Sequence, residues 1–287
     1  MSIQVTSMQP TSNFRIPYLF FLLFLFLALF ASCDKADPET VGERQSDETV
    51  DEITATPGNP NAGNAQVAPV ELEPIYHGSV AMRYAGLNIL VDPHGGIERY
   101  TNRMEPDVVL ITHTHPDHMD KEVLGGLELS KATLIAPAAV ASQIGNMGWA
   151  DQQVLANGDT ANYKGNNIIA VPAYNYPPAK FHPKGEFNGY VVELGGERIY
   201  FSGDTGPAPE LEELTDIDVA FVCMNQPYTM TVDQAAELVS KMKPGLVRPY
   251  HYRNQDKSLS DLEKFRSALK EKAPGVNVLI EDWYEAK

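Results

Sequence analysis

From Glu71 onward, short apolar runs alternate with turn residues along the chain, in the pattern that marks β-strands. "IYHGSV" (75–80), "AMRYAG" (81–86) and "NILVDP" (88–93) are short, β-prone and separated by turn formers. "PDVVLIT" (106–112) is a continuous apolar run of strand length. "ATLIAP" (132–137) and "NNIIAVPA" (166–173) read as further buried strands. "NGYVVEL" (188–194) and "ERIYFSGD" (197–204) flank Gly195-Gly196, a hairpin signal. "DVAFVCM" (218–224) and "LVRPYHY" (246–252) complete the strand set.

Helical periodicity falls between these runs. "MDKEVLGGLEL" suggests a helix from about Met119. In "TVDQAAELVSKM", Ala235, Leu238, Val239 and Met242 share one face, and Pro244-Gly245 ends the segment. Thr231 and Gln234 have the spacing of a capping box. "SDLEKFRSAL" repeats the logic, with Ser260 and Glu263 as the box and Leu262, Phe265 and Leu269 inside. Strands with helices between and after them predict an α/β domain over residues 71–287. No strong internal repeat is present.

The region before Glu71 has a different character. Ile16 to Ser32 is almost wholly apolar and runs directly into Cys33. Ala31-Ser32-Cys33 resembles a bacterial lipoprotein signal, which implies that residues 1–32 are removed and Cys33 is lipidated. An uncleaved anchor is the alternative; seventeen residues lie near the lower limit for crossing a bilayer of about 30 Å. Either reading exports the domain and tethers it to a membrane, on the periplasmic or outer face of the cell envelope. Residues 33–70 are rich in Asp, Glu, Thr, Pro, Gly and Asn, and predict a disordered linker that cannot bury enough surface to offset its ordering entropy.

The chain of 287 residues has 22 basic and 38 acidic side chains, a formal net charge of −16. A surface this acidic repels phosphate backbones, which argues against a nucleic-acid partner and against a nuclease. Between Asp34 and Val70 there are eight acids and two bases, so more than a third of the net charge lies in the segment before the folded part. Cys33 and Cys223 are too few for a disulfide framework. Cys223, inside "DVAFVCMN", reads as a small buried hydrophobe.

Chemistry concentrates in "HTHPDH". His113 and His115 are two residues apart directly after a strand, so both imidazoles can point to one place. Asp117 and His118 follow Pro116, and a turn into a helix aims them at a second place. Two histidines on one centre and an Asp-His pair on another is a dinuclear metal arrangement. Imidazole with carboxylate suits zinc, and also manganese or iron.

"HTHPDH" resembles the signature of the metallo-β-lactamase superfamily. The resemblance covers about residues 74–287 and implies a four-layer αβ/βα sandwich with the metals at one edge of its two sheets. It also implies a mid-chain histidine, His182 in "FHPKG", completing the first metal's ligands. Asp204 in "SGDTG" is implied as the bridging carboxylate, and His251 in "RPYHYR" as a ligand of the second metal beside Asp117 and His118. Early "HGSV" and "ILVDP" and late "PYTMT" are similar to the branch containing L-ascorbate-6-phosphate lactonase and N-acyl-phosphatidylethanolamine phospholipase D. The implied reaction is hydrolysis of an ester-like bond in a small molecule by hydroxide held between two divalent ions, with Asp117 orienting it. A non-catalytic metal-binding lipoprotein on the same scaffold is the competing reading. His77 and His94 flank early strands and are left open between site and loop roles. Asp92 can orient a ligating imidazole or cap the turn before Pro93. Tyr174, Asn175 and Tyr176 are candidates for the pocket wall, or for packing.

Overall fold

A computed structural model describes residues 69–101, 105–177 and 181–284. The apolar segment 16–32, Cys33 and the linker 33–70, apart from its last two residues, lie outside the described residues. None of the described helices is long and apolar enough to cross a membrane.

Among the described residues, thirteen strands form two mixed sheets. The first contains β1 (Glu71–Tyr76), β2 (Ser79–Tyr84), β3 (Leu87–Val91), β4 (Val108–Leu110), β5 (Thr133–Ala136) and β6 (Asp151–Val154), paired in that order. The second contains β7 (Thr160–Tyr163), β8 (Asn166–Pro172), β9 (Asn188–Leu194), β10 (Glu197–Phe201), β11 (Val219–Cys223), β12 (Leu246–Tyr250) and β13 (Asn277–Val278), paired in reverse order from β13 to β7. Antiparallel pairing opens each half, and parallel pairing follows where helices cross over: β3 to β6 in the first sheet, β10 to β13 in the second.

Side-chain alternation places the cores. Val80, Met82, Ile89, Val91, Val108 and Leu110 point from the first sheet to the second, where they meet Tyr190, Val192, Ile199 and Phe201. The intervening Ala81, Leu90 and Val109 face the other way. They pack with Val123, Leu124, Val140 and Ile144 from α1 (Lys121–Gly126) and α2 (Ala138–Ile144). The long helices α3 (Val232–Met242) and α4 (Leu262–Lys272) bury Leu238, Val239, Phe265 and Leu269 in the core that includes the second sheet. This is the four-layer αβ/βα sandwich, and it answers the period-2 pattern residue by residue.

Three local expectations need correction. "IYHGSV" is not one strand: His77-Gly78 turns the chain between β1 and β2, with His77 at φ 57°. The helix "SDLEKFRSAL" is capped by Asp261, whose carboxylate accepts from Lys264 N at 2.8 Å. Ser260 is committed elsewhere: its N–H goes to the Tyr252 carbonyl and its hydroxyl to the Met224 carbonyl. β6, β7 and α2 also go beyond the apolar pattern, because β6 ("DQQV") and β7 ("TANY") are mostly exposed edge strands. The Thr231/Gln234 capping box is present as expected, with both reciprocal hydrogen bonds.

Candidate metal centre

β4 runs through Ile111 and Thr112 into the histidine cluster, and this carries the chain to the rim between the sheets. β9 and β10 arrive from the second sheet. Beyond β10, Gly203 at φ 56° turns the chain so that Asp204 reaches the same rim. A Cβ on Gly203 would meet Thr112 at 3.0 Å, so only glycine fits here without displacing that neighbour. Gly78 has a similar constraint: its Cβ would lie 3.1 Å from His118 Cε1 and 3.6 Å from His251 Cδ2. His77, Asp92 and His251 all have positive φ, of 57°, 44° and 46°. Non-glycine residues in this region are strained, and here three of them face one site.

All seven residues expected from the sequence meet at this rim. His113, His115, His182 and Asp204 each offer an atom within 4.8 Å of the others; His118, Asp204 and His251 form a second such group. His77, Asp117 and His251 form a third. Asp204 joins the first two with separate oxygens. Its Oδ2 lies 3.5 Å from His182 Nε2, and its Oδ1 lies 3.5 Å from His118 Nε2 and 3.4 Å from His251 Nε2. Asp117 Oδ2 is 3.4 Å from His251 Nε2.

These separations are too long for good hydrogen bonds. They match the edge of a tetrahedron whose centre lies about 2.0–2.1 Å from each ligand atom, roughly 3.3 Å. Six buried atoms of four site residues also lack a protein hydrogen-bond partner: His118 Nε2, both ring nitrogens of His182 and of His251, and Asp204 Oδ1. Leaving such a group unsatisfied costs about 1–3 kcal/mol. Their convergence fits a site for divalent cations, and the donor set, imidazole with carboxylate, suits borderline-to-hard metals.

A single carboxylate organises both halves. Asp92 is fully buried and accepts from Thr112 N at 2.8 Å and from Thr112 Oγ1 at 2.7 Å. Its Oδ2 also lies 2.7 Å from His118 Nδ1. Since the Thr112 hydroxyl donates to Asp92, it accepts from His113 Nδ1, 2.9 Å away. The network therefore assigns the proton to Nδ1 on both His113 and His118, and turns both Nε2 atoms toward the centre. His113 Nε2 lies 3.1 Å from His115 Nδ1.

Burial holds the imidazole of His113 well below its usual pKa, and pushes His182 down to about 4 and His77 to about 3. Neutral imidazole is the form that coordinates metal. Burial opposes charge on His118 as well, but the carboxylates of Asp204 and Asp92 outweigh it and raise that ring well above the usual range. Burial pushes Asp117 and Asp204 up, yet their contacts and charges with His251 and the neighbouring histidines prevail, and both stay well below the ordinary carboxylate range.

His182 is placed by Asn175. The His182 N–H donates to Asn175 Oδ1 and the Asn175 N–H to the His182 carbonyl, both at 2.9 Å. Asn175 Nδ2 then donates to the Tyr228 carbonyl at 2.8 Å. Asn175 thus fixes the loop that carries His182. Tyr174 is buried with its hydroxyl on Glu210, and Tyr176 is about half exposed. The aromatic wall of the cleft comes instead from Phe181 and Tyr228, in edge contact at 5.0 Å between ring centres.

Of the two histidines left open, His77 belongs to the site and His94 does not touch the ligand groups. His94 Nδ1 pairs with Asp120 at 3.1 Å. The His77 ring centre is 3.7 Å from that of His251, and its Nε2 lies 3.4 Å from Asp117 Oδ2. Its Nδ1 is 3.0 Å from the Tyr284 hydroxyl, which already accepts from the N–H groups of Tyr252 and Arg253. The phenol proton must therefore go to His77 Nδ1, which leaves the neutral ring protonated at Nε2, facing Asp117. His77 and Tyr284 carried no metal-ligand spacing in the sequence. The clue available was "HG", a left-handed turn residue beside a glycine.

A family model described as "Beta-lactamase superfamily domain" matches residues 71–251. The chain is 30% identical over 207 residues to a UPF0173 metal-dependent hydrolase of Thermoplasma acidophilum, covering 68% of this chain and 90% of that one. It is also 30% identical over 196 residues to one from Thermococcus onnurineus, covering 64% and 86%. Among solved structures, a protein of Parabacteroides distasonis assigned to the metal-dependent hydrolases matches with TM-score 0.66 and 37% identity, over 74% of this chain and 92% of that one. Igni18, a metallo hydrolase of Ignicoccus hospitalis, matches with TM-score 0.63 and 23% identity, over 76% and 99%, and so shares the fold. With the four-layer sandwich, the His/Asp rim and these relatives in agreement, the chain belongs to the metallo-β-lactamase superfamily, in the company of the UPF0173 metal-dependent hydrolases.

Proposed function

We propose that this hydrolase cleaves an ester-like bond of a small molecule at a centre of two divalent cations, zinc in the first instance, with manganese or iron also suited to the donor set. The observation that carries the reading is the division of Asp204: one oxygen faces His182, in the group with His113 and His115, and the other faces His118 and His251. One residue set would hold the first cation through His113, His115, His182 and Asp204. The other would hold the second through Asp117, His118, His251 and Asp204. When bound, such a pair supplies Lewis acidity, which makes water a competent nucleophile near neutral pH and stabilises charge developing on a substrate oxygen.

The chain's own residues do the rest. The Asp117 side chain is 39% exposed and opens on the cleft. A carboxylate held so far below the usual range is a poor proton acceptor but a good hydrogen-bond acceptor. It orients the attacking water, and the His77 Nε2–H, 3.4 Å from its Oδ2, gives it a polar neighbour on the far side. Phe181 and Tyr228 shield one side of the cleft from water. Lactones, carboxylic esters, amides and phosphodiesters all fit this chemistry, and the lactonase/phospholipase D branch remains our expectation for the nearest mechanism. A binding-only role would leave no need for an exposed, oriented Asp117. The test is a hydrolysis panel over those four bond types on metal-loaded and chelated protein, with Asp117→Asn alongside. That variant should keep its fold, hold the second cation less tightly and lose most turnover even at saturating metal; near-normal turnover would assign the water to another group.

We also propose that the protein is exported and tethered through a lipid on Cys33, as the Ala31-Ser32-Cys33 sequence supports. Fatty-acid labelling of the wild type, absent in Cys33→Ser, is the expected result. An unlabelled wild type would favour the uncleaved anchor.

A further inference from the structure

The cleft in front of Asp117 has a volume of about 450 Å³, within the size range of small-molecule sites. Arg253, Asn254 and Gln255 line it together with Phe181 and Tyr228. Among the described residues, Arg253 is the one Lys or Arg that lines the cleft, and the chain as a whole carries sixteen more acids than bases. Among the described residues, no carboxylate forms an ion pair with it, whereas Arg83, Arg198, Arg248 and Arg266 each have one.

Arg253 is nonetheless held firmly. Its guanidinium lies 4.3 Å from the centre of the Tyr284 ring and 5.5 Å from that of Tyr76, and one terminal nitrogen donates to the Tyr76 hydroxyl at 2.7 Å. Its backbone N–H donates to the Tyr284 hydroxyl at 3.0 Å, and the residue bridges to Leu259. The following loop is pinned as well, by Gln226 N to Asn254 Oδ1 at 2.7 Å and Gln255 N to the Gln226 carbonyl at 3.0 Å. A guanidinium has five N–H donors in a planar fork, and Tyr76 takes only one. Two tyrosines thus hold a planar cation ready in a pocket wall, without neutralising it.

We propose that Arg253 is the specificity residue of this hydrolase and that the substrate carries an oxyanion, a carboxylate or phosphate group, which binds Arg253 while the scissile bond lies at Asp117. The fork geometry favours bidentate capture of either group. Asn254 and Gln255 extend the same polar wall, and the remainder of the substrate lies against Phe181 and Tyr228. This inference rests on the hydrolase reading above and adds the chemical class of the substrate to it.

The experiment pairs each ester with its charged counterpart on metal-loaded protein. p-Nitrophenyl butyrate is compared with mono-p-nitrophenyl glutarate for carboxylate, and a glycerol ester with its glycerol-phosphate analogue for phosphate. The wild type should prefer the anionic member of at least one pair by roughly 10–100-fold in kcat/KM, the range expected of a charge-assisted contact. The pair that shows the preference identifies the group. Arg253→Gln should bring that ratio close to one, and Arg253→Lys should restore part of it. Equal turnover of both members of both pairs by the wild type, or an unchanged ratio in Arg253→Gln, overturns the proposal while leaving the hydrolase reading intact. A protein that turns over none of these esters is read by calorimetry with glutarate and with inorganic phosphate. Binding weaker by ~10-fold or more in Arg253→Gln supports the proposal, and equal affinity in both proteins overturns it.

Discussion

Asp92 and His118 meet at 2.7 Å, Oδ2 to Nδ1, with both side chains fully buried. The same carboxylate oxygen receives the Thr112 hydroxyl, and through it steadies His113. One acid outside the expected ligand set therefore aims an imidazole at each half of the centre. Asp92→Ala should weaken binding of both cations by about 10–100-fold, the usual effect of losing a group that orients a ligand. Competition against a chromophoric chelator measures this. Wild-type affinity in the variant would mean that the histidines are aimed by packing alone.

His182 is the proposed ligand with the least support from its local sequence, since Phe181-His182-Pro183 also reads as a surface turn. In the structure it is buried, and its Nε2 lies 3.5 Å from Asp204 Oδ2. His182→Ala should lower affinity for one of the two cations by ~10-fold or more and leave the other bound. Metal per chain after dialysis against a weak chelator reads this directly. Two tightly held ions in the variant would remove His182 from the ligand set.

The rings of His77 and His251 lie against each other, centres 3.7 Å apart and tilted by 44°, but carry different assignments. Both ring nitrogens of His251 lack a protein partner, whereas His77 receives the Tyr284 phenol at Nδ1 and presents Nε2–H to Asp117. His251→Ala should therefore lose a metal. His77→Ala should retain two and lose kcat, by about 10-fold or more, because Asp117 loses the polar neighbour on its far side. Loss of a metal in His77→Ala would make His77 a ligand and revise its protonation.

The fold was legible wherever burial was two-sided. β9, β11 and β12 bury most of their residues, so their apolar runs stand out from the flanking turns. β6 and β7 lie at sheet edges with mostly exposed side chains, and an edge strand needs no apolar run. The convergence of the "HTHPDH" side chains at one rim was legible because the spacing of one strand and one turn fixes them locally. His77, Tyr284 and Arg253 were not, because their roles arise from contacts across about 180 to 210 residues of chain: His77 to Tyr284, and Arg253 to Tyr76. No local period encodes such a meeting. The Asp261 cap was missed for a smaller reason. Ser260 has the right spacing, but its hydroxyl has a better partner in the Met224 carbonyl.

Metal content measured together with hydrolysis tests the two-cation centre most directly. Purified protein should carry about two divalent ions per chain. A strong chelator should abolish turnover of whichever substrate the panel identifies, and returning two equivalents of metal should restore it. Asp204→Ala, which removes the carboxylate shared by both groups, should lower both metal occupancies together. A single ion at full activity, turnover that survives chelation, or an Asp204→Ala variant that keeps both ions would contradict the bridged two-metal centre.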